Sequence, residues 1–297
     1  MRLFFLSFLF LNISITLFGQ YDQKLVKFDF KEINGNPFGV VKLNMTNQRV
    51  KVKYFASKDA NSSLSVYQRF SEWAFNKKLI LVSSGTYYYY PDKNNRDKTT
   101  ARPVGICIDN GNVINKTTDD KLDALALIYS SGRIAVENLK NKTISVKDAS
   151  GNPLNLNLSN ALDKNLFYKW ATDVKATIFQ THLFAYKGSL LVGQNANSFK
   201  DYRRFLAAGI NNNNETVQYI INLPFNSTIL EGSKYALDYL KANENLKEIS
   251  FLINLDTGAQ NALETYHPKT GDKLANSNFS GVKPIKEAIN LIVYYYQ

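Results

Sequence analysis

Short apolar segments, each cut off by an Asn-, Gly- or Ser-bearing turn, recur from residue 24 to residue 295 of this 297-residue chain. Segments of that length bury one or both faces of a strand, and the turn residues end them before a helix could propagate. Strand-like runs fall at 24–33, 38–45, 50–55, 79–82, 104–109, 122–129, 133–137, 176–179, 183–186, 205–210, 217–223, 248–255 and 289–295. Helical spacing of apolar residues is confined to 64–77, 159–172 and 232–241, the second carried by Leu162, Leu166, Phe167 and Trp170. Strands therefore dominate without a regular βαβ alternation. The expectation is an α+β single domain whose mixed or largely antiparallel sheet is flanked by helices. The first three strands read as an antiparallel meander, and 104–109 pairs with 122–129 across the turn Asp109-Asn110-Gly111-Asn112.

The start of the chain has a different character. Arg2 precedes a run from residue 3 to residue 18 that is apolar except for Ser7, Asn12, Ser14 and Thr16, and the small residue Gly19 follows. One positive charge, a short apolar segment and a small-residue exit form the pattern of a secretory signal peptide. Residues 1–20 are thus expected to be removed and 21–297 to form the mature domain, secreted or periplasmic. No later run is apolar for long enough to serve as a membrane span. A single Cys107 excludes an internal disulfide framework and a cysteine zinc finger, and two histidines, His182 and His267, argue against a His-rich metal cluster. No metal and no other cofactor is expected. The formal net charge of +11 attracts anions, but its lysines are dispersed among asparagines rather than gathered into a nucleic-acid-binding arm.

Chemistry can reside in three places. The apolar run 251–255 delivers Asp256 to a strand end just before the small-residue turn Thr257-Gly258-Ala259-Gln260. Such a carboxylate serves as an acid, a base or a ligand anchor, or else bonds its own backbone as a turn former. The strand 79–82 runs into Ser83-Ser84-Gly85-Thr86 and then four tyrosines, 87–90, which either flank a sugar or, for at least two of them, fill the core. Arg203 and Arg204 supply bidentate donors for a phosphate, or a solvated face. His182 follows a strand and either lines a cleft or is a satisfied structural residue. No serine-hydrolase elbow, phosphate loop or dinucleotide fingerprint is present.

Read in order, these pieces resemble the phosphodiester glycosidase family. Ser84-Gly85-Thr86-Tyr87-Tyr88, Arg102-Pro103-Val104-Gly105-Ile106, Asp109-Asn110-Gly111, the strand 176–183, the arginine strand 203–209 and Asn254-Leu255-Asp256-Thr257-Gly258 follow the family's motifs in sequence. The resemblance covers roughly residues 75–265. Three departures stand out: Ser84 replaces an Asn, Thr257 and Ala259 replace two of three glycines, and Gln260 replaces a Ser.

The resemblance implies an exported glycoside hydrolase acting on sugar-1-phosphodiesters, with an anionic glycan or sugar phosphate as ligand and no nucleic acid. It implies that Asp256 is catalytic, with Ser84, Gly85, Thr86, Arg203, Arg204, Thr257 and Gly258 lining the substrate site. The departures equally fit a catalytically inactive glycan- or phosphate-binding protein of the same fold.

Overall fold

The computed structural model describes residues 25–33, 36–46, 48–56, 65–90, 94, 101–148, 150–192, 199–223, 225–258, 261–274, 282 and 284–297. The expected signal peptide, and Ala259 and Gln260, lie outside the described residues.

The chain runs through β1 (Val26–Ile33), β2 (Asn36–Asn44), β3 (Val50–Ala56), α1 (Val66–Ala74), β4 (Lys78–Ser84), β5 (Tyr88–Tyr89), β6 (Arg102–Pro103), β7 (Cys107–Asp109) and β8 (Asn112–Asn115). It continues through β9 (Ala124–Ile128), β10 (Ile134–Asn138), β11 (Thr143–Lys147), β12 (Pro153–Asn157), α2 (Ala161–Asp173), β13 (Thr177–Thr181), β14 (Leu183–Tyr186) and β15 (Ser189–Leu190). It ends with β16 (Arg204–Asn211), β17 (Thr216–Asn222), α3 (Ile229–Asn243), β18 (Leu246–Leu255), β19 (Leu263–Thr265) and β20 (Asn290–Tyr296).

The main sheets are seven-stranded (β1-β2-β17-β16-β18-β14-β15), five-stranded (β10-β9-β13-β7-β8) and four-stranded (β19-β4-β20-β3), accompanied by the pairs β11-β12 and β5-β6. Every ladder among the described residues is antiparallel. The expected α+β domain is what forms.

Side-chain alternation explains how three sheets share one core. In β16, Leu206 and Ala208 enter a central cluster while Phe205 and Ala207 face α3. Phe179 of β13 points into the same central cluster and its neighbour Ile178 faces α2. Ile292 and Tyr294 of β20 do likewise, with Leu291 and Val293 facing α1. Each sheet thus gives one face to the shared interior and covers the other with a helix.

The helices begin where capping chemistry dictates. Ser65 and Gln68 form a capping box ahead of α1, Asn160 accepts from the amides of Leu162 and Asp163, and Thr228 with Glu231 caps α3. The last box starts α3 at Ile229, three residues before apolar spacing alone places it. In α2 the buried residues are Phe167, Tyr168, Trp170 and Ala171, whereas Leu162 and Leu166 are 73% and 49% exposed. The expected stripe is therefore rotated about the helix.

Two expected pairings are overturned. The opening meander stops after one hairpin, because β2 takes β17 as its second neighbour and β3 pairs with β20 in another sheet. The turn at Asn110-Gly111, with φ of 51° and 81°, connects β7 to β8 and not to β9. β13 lies between β7 and β9, burying Ile178 and Phe179 completely. The expected partner β9 keeps its wholly apolar strand one place further out, with β13 between it and β7.

Candidate functional site

Arg204 is the first residue of β16, paired with Asn222 at the end of β17 and with Leu255 at the end of β18. Alternation puts it on the face of Leu206 and Ala208, so its side chain is driven inward and is fully buried. Its Nη1 donates to Ser83 Oγ (3.2 Å), Ser84 Oγ (3.3 Å) and the Ala262 carbonyl (2.9 Å). Its Nη2 donates to Asn222 Oδ1 (3.1 Å) and Asn261 Oδ1 (2.6 Å), and Nε to Asn222 Oδ1 (3.3 Å). All these acceptors are neutral. Burial lowers the Arg204 pKa to about 9, against the opposing pull of Asp256.

Asp256 follows directly on β18. Its amide donates to the Gly85 carbonyl at 2.7 Å and its carbonyl accepts from Ser84 Oγ, so the tips of β18 and β4 are tied through backbone. Oδ1 accepts from the Gly258 amide at 2.9 Å, the local turn that a carboxylate after a strand forms. The side chain is 6% exposed. Burial raises its pKa to about 6, although the Gly258 amide and Arg204 oppose the rise; Asp201 adds to it.

The strand-end residues 84–86 are brought to this place, but their polar groups are already engaged. The Gly85 amide donates to Asn290 Oδ1 at 3.0 Å, and the Thr86 hydroxyl donates to the Gln180 carbonyl. Ser84 serves both Arg204 and Asp256. A Cβ on Gly85 would lie 2.6 Å from both Asn290 Oδ1 and Tyr54 Cε2. Gly85→Ala is therefore expected to destabilise the protein by about 2–3 kcal/mol through overpacking. Urea unfolding measures it, and a loss below about 0.5 kcal/mol would show that the strand end yields easily.

Thr257 Oγ1 donates to the Tyr202 carbonyl. Arg203 is 8% exposed, with Nε donating to the Ser227 carbonyl (3.1 Å) and Nη2 to that of Phe199 (3.0 Å). Its charge acts on both Tyr87 and His182, opposing the rise of the tyrosine pKa and lowering that of the histidine. Arg203 thus faces the opposite side of the strand from Arg204.

Sequence reasoning gave too little weight to Tyr87, Asn254 and His182. The Asn254 side-chain amide donates to the Tyr87 hydroxyl and to the Leu255 carbonyl. Burial, and next the Asp256 charge, push the Tyr87 pKa up. The His182 ring stands edge-on to Tyr87 with centroids 5.4 Å apart. None of the four tyrosines at 87–90 joins the buried core, contrary to expectation: Tyr88 and Tyr89 belong to β5, which among the described residues pairs with β6 alone. Asn222 and Asn261, which hold Arg204, carried no sequence signal, being single asparagines in an asparagine-rich chain.

Among the described residues no group of three or more His, Cys, Asp and Glu side chains is placed to hold a metal, and no helix is long and apolar enough to cross a membrane. Two clefts are described, of 390 Å³ beside Asp119, Asp123 and Lys142 and of 650 Å³ beside Tyr129, Trp170 and Lys175. Asp256 lines neither.

No protein-family model matches the sequence, and no curated protein matches it. The structure is similar to the catalytic domain of zebrafish N-acetylglucosamine-1-phosphodiester alpha-N-acetylglucosaminidase, auto-inhibited by its pro-peptide. That similarity has TM-score 0.49 and 11% identity over 92% of this chain and 82% of that one. It is also similar to a protein from Burkholderia pseudomallei K96243 described as exported, with TM-score 0.48 and 10% identity over 88% and 74% of the two chains. A Synechocystis protein gives TM-score 0.45 and 10% identity over 92% of this chain and 62% of its own, so this chain spans less than two thirds of that protein. At such distances the chemistry must be argued from this site's own residues.

Proposed function

We propose that this protein is an exported phosphodiester glycosidase-like hydrolase, cleaving the bond between a sugar's anomeric carbon and a phosphodiester. In this reading residues 1–20 are removed and 21–297 form one domain. The observation that carries it is Asp256, a nearly buried carboxylate with its pKa raised to about 6 beside Tyr87. The ordered motifs between residues 75 and 265 supply the substrate class. Of the two arginines, Arg203 meets the phosphate: Arg204 is fully buried with all three of its nitrogens donating to protein, whereas Arg203 commits Nε and Nη2 to the Ser227 and Phe199 carbonyls and, among the described residues, keeps Nη1 for a ligand. Ser84, Gly85, Thr86 and Thr257 shape the wall through their bonds to protein, and Gly258 presents the turn that orients Asp256.

The departing phosphate monoester has a conjugate-acid pKa of about 6 and needs no proton to leave. The working form of Asp256 is then the carboxylate, acting as a base or stabilising the oxocarbenium-like centre. Turnover of sugar-1-phosphodiesters, followed by ³¹P NMR of the released phosphate ester, should rise with pH through about 6 and then level. A fall through that pH would show the acid form at work. No turnover of any such ester, and no effect of Asp256→Asn, would sink the enzyme reading.

Two observations favour a catalytically inactive binding protein of the same fold: Arg204 is saturated, and one Asp256 oxygen is held by its own turn. That reading expects saturable sugar-phosphate binding, unchanged by Asp256→Asn, without product.

A further inference from the structure

His182 stands between β13 and β14, where its carbonyl accepts from the Asn254 amide at 3.1 Å and so fixes it against the end of β18. Its ring is edge-on to Tyr87 at 5.4 Å and parallel to Phe184 at 5.9 Å, with interplanar angles of 75° and 17°. Tyr87 in turn feels the charges of Asp256 and Arg203 and accepts from Asn254. Through Tyr87 and Asn254 the histidine therefore belongs to the same cluster of side chains as Asp256.

The neutral imidazole carries its proton on one ring nitrogen and leaves the other as an acceptor. The charged groups facing the ring are Asp119 and Asp123 from the segment before β9 and Arg203 from the segment before β16, with Tyr87 from the segment after β4. Burial outweighs the two carboxylates and lowers the pKa, so the ring is neutral near pH 7. A neutral imidazole packed edge-on against Tyr87, which itself feels the Asp256 charge, has the properties of a proton acceptor.

Building on the hydrolase reading, we infer that His182 takes the proton from the attacking water while Asp256 stays ionised opposite the sugar ring. The water oxygen bonds to the anomeric carbon, and the bond from that carbon to the phosphate oxygen breaks with its electron pair leaving on phosphate. The water proton passes to the unprotonated ring nitrogen of His182 and then to solvent. A single displacement of this kind inverts the anomeric configuration.

The test compares wild type, His182→Gln and His182→Ala. The glutamine variant should keep the wild-type Tm while kcat falls about 100-fold, the scale of a lost general base. Added imidazole should restore turnover to the alanine variant, and ¹H NMR should show the inverted anomer. Turnover of His182→Gln within threefold of wild type, absence of imidazole rescue, or a product of retained configuration would each overturn the inference. If wild type itself turns nothing over, the hydrolase reading fails first. The assignment is then decided by ¹⁵N NMR of the His182 ring with glucose 1-phosphate as probe: a shift of the unprotonated nitrogen keeps His182 in the site, and no shift removes it.

Discussion

Arg204→Lys should cost the fold about 3–5 kcal/mol while leaving its net charge unchanged. The guanidinium reaches Ser83, Ser84, Asn222, Asn261 and the Ala262 carbonyl from three nitrogens spread in a plane. An ammonium offers three donors from a single point and cannot span that set. At least two buried acceptors are left unpaired, at about 1–3 kcal/mol each, and the remaining charge is as deeply buried as before. The penalty is large because Arg204 joins the ends of β4, β16 and β17 to the segment that leads into β19. Urea unfolding should show a lower midpoint with an unchanged slope. A loss below about 1 kcal/mol would mean that the three strand ends are held together by something other than this fork.

Asp256→Asn should separate stability from activity. The wild-type carboxyl titrates near 3.8 when unfolded and at about 6 when folded. The native state therefore holds its proton more tightly, and the stability this contributes is full below pH 3.8 and lost as pH rises through 6. Two pH units correspond to about 3 kcal/mol. Asparagine does not ionise, and its Oδ1 can still accept from the Gly258 amide. Relative to wild type, the variant should gain about 3 kcal/mol between pH 4 and pH 7, or roughly 6–12 °C in Tm for a domain of this size. Sugar-1-phosphodiester turnover should fall at least 100-fold in the same protein. A Tm difference that stays constant from pH 4 to pH 7 would show that Asp256 has no raised pKa in the fold.

Much of the architecture was legible before any coordinate. Short apolar runs ended by turn residues marked β16, β17, β18 and β20, and apolar spacing marked all three helices to within a few residues. The start of α3 was also present in the sequence, as Thr228 and Glu231 at capping-box spacing, a stronger local signal than the apolar spacing. The hairpin of β11 and β12 was missed because Thr143–Lys147 and Pro153–Asn157 are half polar. Their burial comes from a neighbouring helix: Ile144, Val146 and Leu156 pack in one cluster with Phe167 and Trp170 of α2.

By itself the sequence determined what is local: which segments extend, which coil, where each helix is capped, and that a carboxylate would stand at the end of an apolar strand. The tertiary structure alone decided partners. β3 leaves β2 for β20, and β13 separates β7 from β9, because inter-strand pairing is set by which faces can be buried together and not by nearness along the chain. It also distinguished two adjacent arginines. Successive side chains in a strand point to opposite faces, so Arg204 turns into the shared core and is consumed by residues 83, 84, 222, 261 and 262, while Arg203 turns toward Tyr87 and His182.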